Sequence, residues 1–186
     1  MTLFEKRLAE TCGVAMVGIK TSNLMCCKYA DYENIHGEIE KIANALESAG
    51  IKMTVLHDNG RRILLLVYRE KAMKQRLSED ESLKFLQSYG YDTNWGETEM
   101  LSHLSTRFDN ISTFPHEIGV FLGYPIEDIL GFMNDPKGCK YCGVWKVYGN
   151  VEENIKLFAK FERCKNAIMK RINNGDNLAK IFAKAC

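Results

Sequence analysis

A chain of 186 residues is long enough to bury one sizeable hydrophobic core. Its residues are 46% hydrophobic and 26% charged, which is typical of soluble globular proteins and excludes disordered, collagenous and coiled-coil classes. The net charge is only +1, so no global electrostatic field points to nucleic acid or to an anionic membrane. No apolar run approaches the roughly 20 residues of a membrane helix, and the charged first residues lack the apolar segment of a signal peptide. We therefore expect a single cytoplasmic domain without a membrane partner.

The charges are distributed unevenly along the chain. Residues 92–136 contain eight acidic residues and one basic residue, whereas residues 137–186 contain eleven basic residues and four acidic ones. Two solvated faces that partly attract each other explain this pattern most simply. A basic face that binds a partner is the alternative.

The first thirty residues predict a helix followed by a hairpin. Residues 3–11 form an amphipathic pattern. The apolar stretches 14–19 and 24–28 are separated by four polar residues, and we expect them to pair as antiparallel strands.

A second helix is predicted from residue spacing. Apolar residues recur at intervals of four, three and four, at Ile35, Ile39, Ile42 and Leu46. Asp31 can cap the start of this helix, and Gly50 stands where a left-handed C-terminal cap belongs.

A β-hairpin is predicted next. Residues 51–56 and 62–68 are rich in β-branched and apolar residues, and Asn59-Gly60 between them is a strong hairpin signal because both residues tolerate positive φ. The inward-facing set of the second strand is either Ile63, Leu65 and Val67, or Leu64 and Leu66.

Helices dominate the middle of the sequence. Ser78 and Glu81 have the spacing of a capping box, which predicts a helix ending near Gly90. Residues 94–97 are expected to open another helix, whose inner face carries Leu101, Leu104 and Phe108.

Pro115 and Pro125 each suit a first helical position, which predicts a helical hairpin resembling a helix-turn-helix. Its second helix begins with two acidic residues, Glu127 and Asp128, where a DNA-reading helix would approach phosphates and base edges. We therefore expect no nucleic-acid partner. The two carboxylates are expected to complement the partial positive charge of the helix N-terminus.

The last part of the chain predicts a strand and a long helix. Residues 143–148 form the strand, residues 151–172 carry a helical apolar stripe, and Gly175 ends the helix before a short final one. The whole pattern predicts an α+β fold, with an antiparallel sheet of about three to five strands covered by helices and containing the helical hairpin.

Three segments carry a family resemblance: CGVAMVGIKTSNL at 12–24, FPHEIGVFLGYPIEDILGFM at 114–133 and CKYCGVWKVYGN at 139–150. Together they resemble a family of uncharacterised proteins, a domain of unknown function, from clostridia and related anaerobic bacteria. The resemblance spans nearly the whole chain and implies a bacterial cytoplasmic protein. It implies no activity and no site residues.

Cys139 and Cys142 form a CxxC, the spacing with which two thiolates bind zinc or iron or form a redox dithiol. No second CxxC or HxxxH completes a four-ligand metal site. A third ligand would have to come from a distant residue: Cys12, Cys26, Cys27, Cys164 or His116. Ordinary reduced cysteines remain the simpler interpretation, since the chain lacks an export signal.

Two further pairs are candidate sites. His116 and Glu117 follow Pro115, and a neutral histidine beside a carboxylate can act as a general acid or base. Lys146 and Tyr148 lie on one face of the predicted strand and could hold an anionic group. For both pairs a purely structural role is the alternative.

The sequence lacks the phosphate-binding loops GxGxxG and GxxxxGK[ST], so nucleotide-dependent chemistry has no support from these motifs. The function that we favour is a non-enzymatic accessory protein that binds another protein or a small ligand. The alternative is a thiol or metal protein built around Cys139 and Cys142.

Overall fold

The computed structural model describes residues 1–109 and 114–182 and contains a three-stranded antiparallel sheet. Its strands are β1 (Ser22–Lys28), β2 (Ile51–Asp58) and β3 (Arg62–Arg69), with β3 between the other two. The carboxamide oxygen of Asn59 accepts hydrogen bonds from the backbone N–H groups of Arg61 and Arg62, and Gly60 has φ +73°. The predicted hairpin is therefore confirmed, with Gly60 alone adopting positive φ.

Helices cover both faces of this sheet. In chain order they are α1 (Leu3–Val17), α2 (Ile35–Leu46), α3 (Glu70–Leu77), α4 (Asp80–Gln87), α5 (Glu97–Asp109), α6 (Ile118–Phe121), α7 (Ile126–Asn134), α8 (Val151–Asn173) and α9 (Leu178–Phe182). The predicted α+β class with an antiparallel sheet is confirmed.

The central strand β3 is buried on both sides. Ile63, Leu65 and Val67 pack in a core with α1, α2, α8 and α9. Leu66 and Tyr68 pack in a second core with α3 to α7. Residues of both inward-facing sets allowed by the sequence are therefore buried, Leu64 only partly, because the sheet is the middle layer between two groups of helices.

The predicted strand at 14–19, and with it the first hairpin, is wrong. α1 continues to Val17, and Gly18 ends it in the left-handed conformation with φ +88°. Fully buried residues recur every four positions along the helix, at Phe4, Leu8, Cys12 and Met16. This helical stripe outweighs the β-branched residues near the end of α1, and β1 pairs with β3 instead.

Two predicted helix caps are also wrong. Asn34 caps α2 by accepting a hydrogen bond from the Gly37 N–H at 3.0 Å, while Asp31 forms an ion pair with Arg7. The Ser78 hydroxyl donates to the carbonyl of Gln75, so it closes α3 and does not open α4.

The predicted strand at 143–148 does not join the main sheet. Only β5 (Lys146–Val147) is extended, and it pairs with β4 (Tyr141–Cys142) in a separate two-stranded sheet. Trp145 packs edge-to-face on Phe158 of α8, with ring centroids 4.5 Å apart. This segment therefore builds a third small core with α8 and cannot extend the main sheet.

The helical hairpin is present, although its first helix is short. Residues 116–117 form a turn, so α6 begins three residues after Pro115, whereas α7 begins directly after Pro125. Gly123, with φ +77°, makes the tight turn between the helices.

No helix within residues 1–109 and 114–182 is long and apolar enough to cross a membrane. In the same part of the chain, no ion pair connects the acidic segment 92–136 to the basic segment that follows it.

Candidate functional site

An open cavity of about 530 Å³ lies between the helical hairpin and β5. Its walls are mainly apolar, with Ile118 from α6, Leu122 directly after α6 and Ile129 from α7. Five of the other lining residues have rings: Phe114, His116, Tyr124, Phe132 and Trp145. A cavity of this size with few polar groups has the character of a small-molecule site.

Two of these rings form a continuous wall. Tyr124, in the connection between α6 and α7, stacks on Trp145 with centroids 4.7 Å apart and planes inclined by 29°. Stacked and edge-to-face ring pairs contribute about 0.5 to 1.5 kcal/mol beyond their buried area, so this contact helps to keep the two rings together.

Asp128 of α7 holds this wall in place. Its side chain is 2% exposed and accepts three hydrogen bonds: from Trp145 Nε1 at 2.8 Å, from the Tyr148 N–H at 2.7 Å and from the Gly149 N–H at 2.8 Å. The predicted role of Asp128, complementing the N-terminus of the helix, is therefore only part of what this residue does. This carboxylate also joins α7 to β5 and the residues that follow β5.

Gly131 allows the same two elements to come close together. A Cβ atom at this position would overlap Cγ of Tyr148. Asp128 and Gly131 are three residues apart and so lie on one face of α7. An acid and a small residue with this spacing are the signal in the sequence that this face of α7 packs closely against another element. Reasoning from neighbouring residues alone missed this signal.

Among the residues that the structure describes, Lys146 is the one lysine in the lining of the cavity, and it is partly exposed. Its Nζ donates a hydrogen bond to the carbonyl oxygen of Pro136 at 2.6 Å and lies 5.4 Å from the centroid of the Phe132 ring. The sequence placed Lys146 and Tyr148 together on an outward face. Only Lys146 lines the cavity, since the Tyr148 hydroxyl donates to the carbonyl of Asp135 at 2.7 Å.

His116 lines the same cavity as Lys146. Its ring lies edge-on to Phe132 at 5.6 Å and to Phe114 at 6.4 Å. The structure thus brings together two predicted site residues that the sequence analysis had treated separately. Within residues 1–109 and 114–182, no hydrogen bond engages the His116 ring nitrogens.

Glu117 does not share the surroundings of His116. It is fully buried, and its Oε1 accepts a hydrogen bond from Arg107 Nε at 2.7 Å. Its Oε2 has no hydrogen-bond partner in the described part of the chain. The two neighbours therefore face different environments, and an acid–base pair of His116 and Glu117 stays a prediction.

Cys139 and Cys142 belong to the hairpin that carries Lys146. Cys142 is exposed in β4, and Cys139 is half-buried just before it. The six cysteines within the described residues are all free thiols. No group of three or more histidine, cysteine or acidic side chains suited to a metal ion occurs in residues 1–109 and 114–182. Metal ligation by Cys139 and Cys142 stays a prediction.

The remaining candidate ligands are dispersed through the fold. Cys12 and Cys27 are buried in the core beneath the main sheet, Cys26 is exposed on β1, and Cys164 is on α8.

The absence of a nucleic-acid partner likewise stays a prediction. α7 carries no basic residue in its last turn, Glu127 is exposed in its first turn, and Asp128 faces the protein interior.

Comparison with known proteins identifies the chain at the level of a family. No curated protein and no solved structure matches it. The family described as "Protein of unknown function (DUF3793)" matches residues 8–182. Since this match covers nearly the whole sequence, and the predicted resemblance to a family of unknown function is thereby confirmed, the chain belongs to the DUF3793 family.

Proposed function

We propose that this protein is a small-molecule-binding accessory protein of the bacterial cytoplasm. The ligand has a flat or otherwise apolar body and one anionic group, and it occupies the cavity between α6, α7 and β5. The observation that carries the proposal is an open, ring-lined cavity of about 530 Å³ with a lysine in its lining. Cavities of about 300 to 1,000 Å³ are typical of small-molecule sites.

The cavity walls favour an apolar ligand body. Each 100 Å² of apolar surface removed from water contributes about 2.5 kcal/mol, and the rings offer stacking and edge contacts in addition. Because Asp128 holds the Tyr124–Trp145 wall through the Trp145 Nε1 hydrogen bond, a ligand meets a wall that is already in position.

The anionic group is suggested by Lys146. One of its three ammonium hydrogens is used by the carbonyl of Pro136, which leaves two for a ligand. No ion pair neutralises Lys146 within residues 1–109 and 114–182. The negative charge of Asp128 also borders the cavity, but it is met by three N–H donors and by the N-terminus of α7.

The surroundings of the two nearby carboxylates do not favour acid–base catalysis by either of them. Asp128 is saturated by hydrogen bonds, and Glu117 is engaged by Arg107 away from the cavity. Neither is placed to take a proton from a ligand in the cavity.

Two dyes that differ in one group test the proposal. 8-Anilino-1-naphthalenesulfonate (ANS) has the required apolar body and anionic group, and N-phenyl-1-naphthylamine (NPN) is the same ring system without the sulfonate. We expect Lys146→Met to weaken ANS binding roughly five- to tenfold, because one charge-assisted hydrogen bond is lost, and to leave NPN binding unchanged within about twofold. Fluorescence titration measures both affinities.

Lys137→Met is the matched control for Lys146→Met, because Lys137 is exposed in the loop next to Pro136 and lies outside the cavity.

His116→Trp should weaken the binding of both dyes, because the larger side chain fills part of the cavity. The variant Trp95→Phe shows where ANS binds, because it leaves Trp145 as the single tryptophan. A change in tryptophan emission on adding ANS then reports binding next to Trp145. The proposal is wrong if ANS leaves Trp145 emission unchanged, or if Lys146→Met weakens NPN as much as ANS.

The alternative function, a thiol or metal protein, makes a separate prediction. If binding in the cavity is the function, the double variant Cys139→Ser, Cys142→Ser should keep the melting temperature and the ANS affinity of the parent. Metal analysis of anaerobically purified protein should then find no stoichiometric zinc or iron. Bound metal that is lost in the double variant, together with a lower melting temperature, would instead establish a structural metal site, since metal binding then contributes to folding.

A further inference from the structure

Lys20 is a buried charged group whose role the fold alone does not explain. It lies between α1 and β1, it is 6% exposed, and its Nζ donates a hydrogen bond to the backbone carbonyl of Ser22. Within residues 1–109 and 114–182, no carboxylate forms an ion pair with it. Lysines are almost never fully buried unless they are paired, so a buried lysine without a carboxylate partner indicates a specific function.

The Lys20 ammonium lies close to one ring of the cavity wall. Its Nζ is 5.3 Å from the centroid of the Tyr124 ring, which stacks on Trp145, and both rings line the cavity. The Tyr124 ring, a group of low polarity, therefore lies next to both the Lys20 ammonium and the space that a ligand would fill. In such surroundings two charges interact more strongly than in water.

Lys20 can change its charge near neutral pH. Burial lowers its pKa to about 7. The titratable groups that face it are Cys12 on α1 and Tyr124 in the connection between α6 and α7. Burial raises the pKa of both, so both stay neutral while Lys20 titrates.

Three other titratable groups lie on the cavity side of the Tyr124–Trp145 wall. Asp128 belongs to α7, and His116 and Lys146 are at the cavity lining. Lys20 differs from these three because it is closed off from solvent, and within residues 1–109 and 114–182 no carboxylate forms an ion pair with it, so a ligand anion can add to the stabilisation of its charge.

We propose that a proton on Lys20 and the anionic group of the ligand bind cooperatively, which makes the affinity of the cavity dependent on pH. This inference rests on the proposed function. The ligand anion favours the ammonium form of Lys20, and by linkage the ammonium form favours the anion by the same factor. The proton comes from the solvent, so binding near neutral pH takes up protons. A neutral ligand has no such coupling.

The test compares ANS and NPN binding to the parent and to Lys20→Met at about pH 6 and about pH 9. We expect ANS to bind the parent roughly tenfold more tightly at the lower pH, whereas NPN changes by less than about twofold. In Lys20→Met the pH dependence of ANS binding should largely disappear while NPN binding persists. If Lys20→Met keeps the pH dependence of the parent, the coupling is wrong and the cavity proposal stands. If neither dye binds the parent in the cavity, both proposals are wrong.

A direct measurement does not depend on the stability of the variant. In the full chain with ¹³C-labelled lysine Cε atoms, the buried Lys20 signal is recognised by a titration midpoint well below those of the exposed lysines. ANS should move this midpoint to higher pH, and NPN should leave it in place. An unchanged midpoint in protein saturated with ANS overturns the proposal.

Discussion

Replacing Asp128 with alanine should lower the free energy of unfolding by about 3 to 5 kcal/mol. Three N–H donors, from Trp145, Tyr148 and Gly149, lose their acceptor at once. A buried donor without a partner costs about 1 to 3 kcal/mol, and water entering from the open cavity recovers part of the sum. Denaturant unfolding followed by tryptophan fluorescence measures the change.

Glu127→Ala is the matched control for this prediction. Glu127 is the neighbouring acid in the first turn of α7, and it is exposed. Both variants remove one carboxylate from the helix N-terminus, which accounts for about 0.3 to 1 kcal/mol in each. Equal destabilisation by the two variants would show that Asp128 acts only on the helix terminus. A larger loss for Asp128→Ala, together with weaker dye binding, supports its role in holding the cavity wall.

Local signals in the sequence were sufficient to predict most of the main sheet and the helices that cover it. Asn59-Gly60 predicted the hairpin of β2 and β3, and the spacing of apolar residues predicted α2. These signals act over a few residues and do not depend on distant contacts. Where the local signal was ambiguous, as at 14–19, the buried stripe from Phe4 to Met16 decided in favour of helix.

The position of the segment 143–148 could not be predicted in this way. Its alternating β-rich residues are typical of a strand in a sheet. Its place is decided by tertiary contacts, namely the edge contact of Trp145 with Phe158 and the hydrogen bond of Trp145 to Asp128. Neither partner is close to this segment in the sequence.

The cavity was missed for the same reason. His116 and Lys146 were each identified as candidates, but thirty residues separate them. Asp128 was explained by a sufficient local reason, as a helix-terminus acid, and Lys20 was only one of the four polar residues between the predicted strands 14–19 and 24–28. Their burial depends on how α1, α7 and β5 pack together, which residue spacing does not reveal.

The free energy of unfolding of the parent protein should rise with pH between the pKa of Lys20 in the folded protein and its pKa in the unfolded chain. The folded pKa of Lys20 is about 7, below the ordinary lysine value of 10.5. Between these values the unfolded chain binds more protons than the folded one, so the free energy of unfolding rises with pH. Below about pH 7 the folded protein carries the full cost of a buried ammonium.

Lys20→Met removes this cost and should therefore stabilise the protein most at about pH 6, by about 3 to 5 kcal/mol relative to its effect at about pH 10. The other groups with raised pKa values, such as Cys27 and Tyr68, are common to both proteins and largely cancel in the difference. Urea unfolding of parent and variant across this pH range measures the difference, and Lys41→Met, an exposed lysine on α2, is the control. A difference between parent and Lys20→Met that stays constant with pH would mean that Lys20 is charged in the folded protein throughout, and that the interior around Tyr124 tolerates the ammonium.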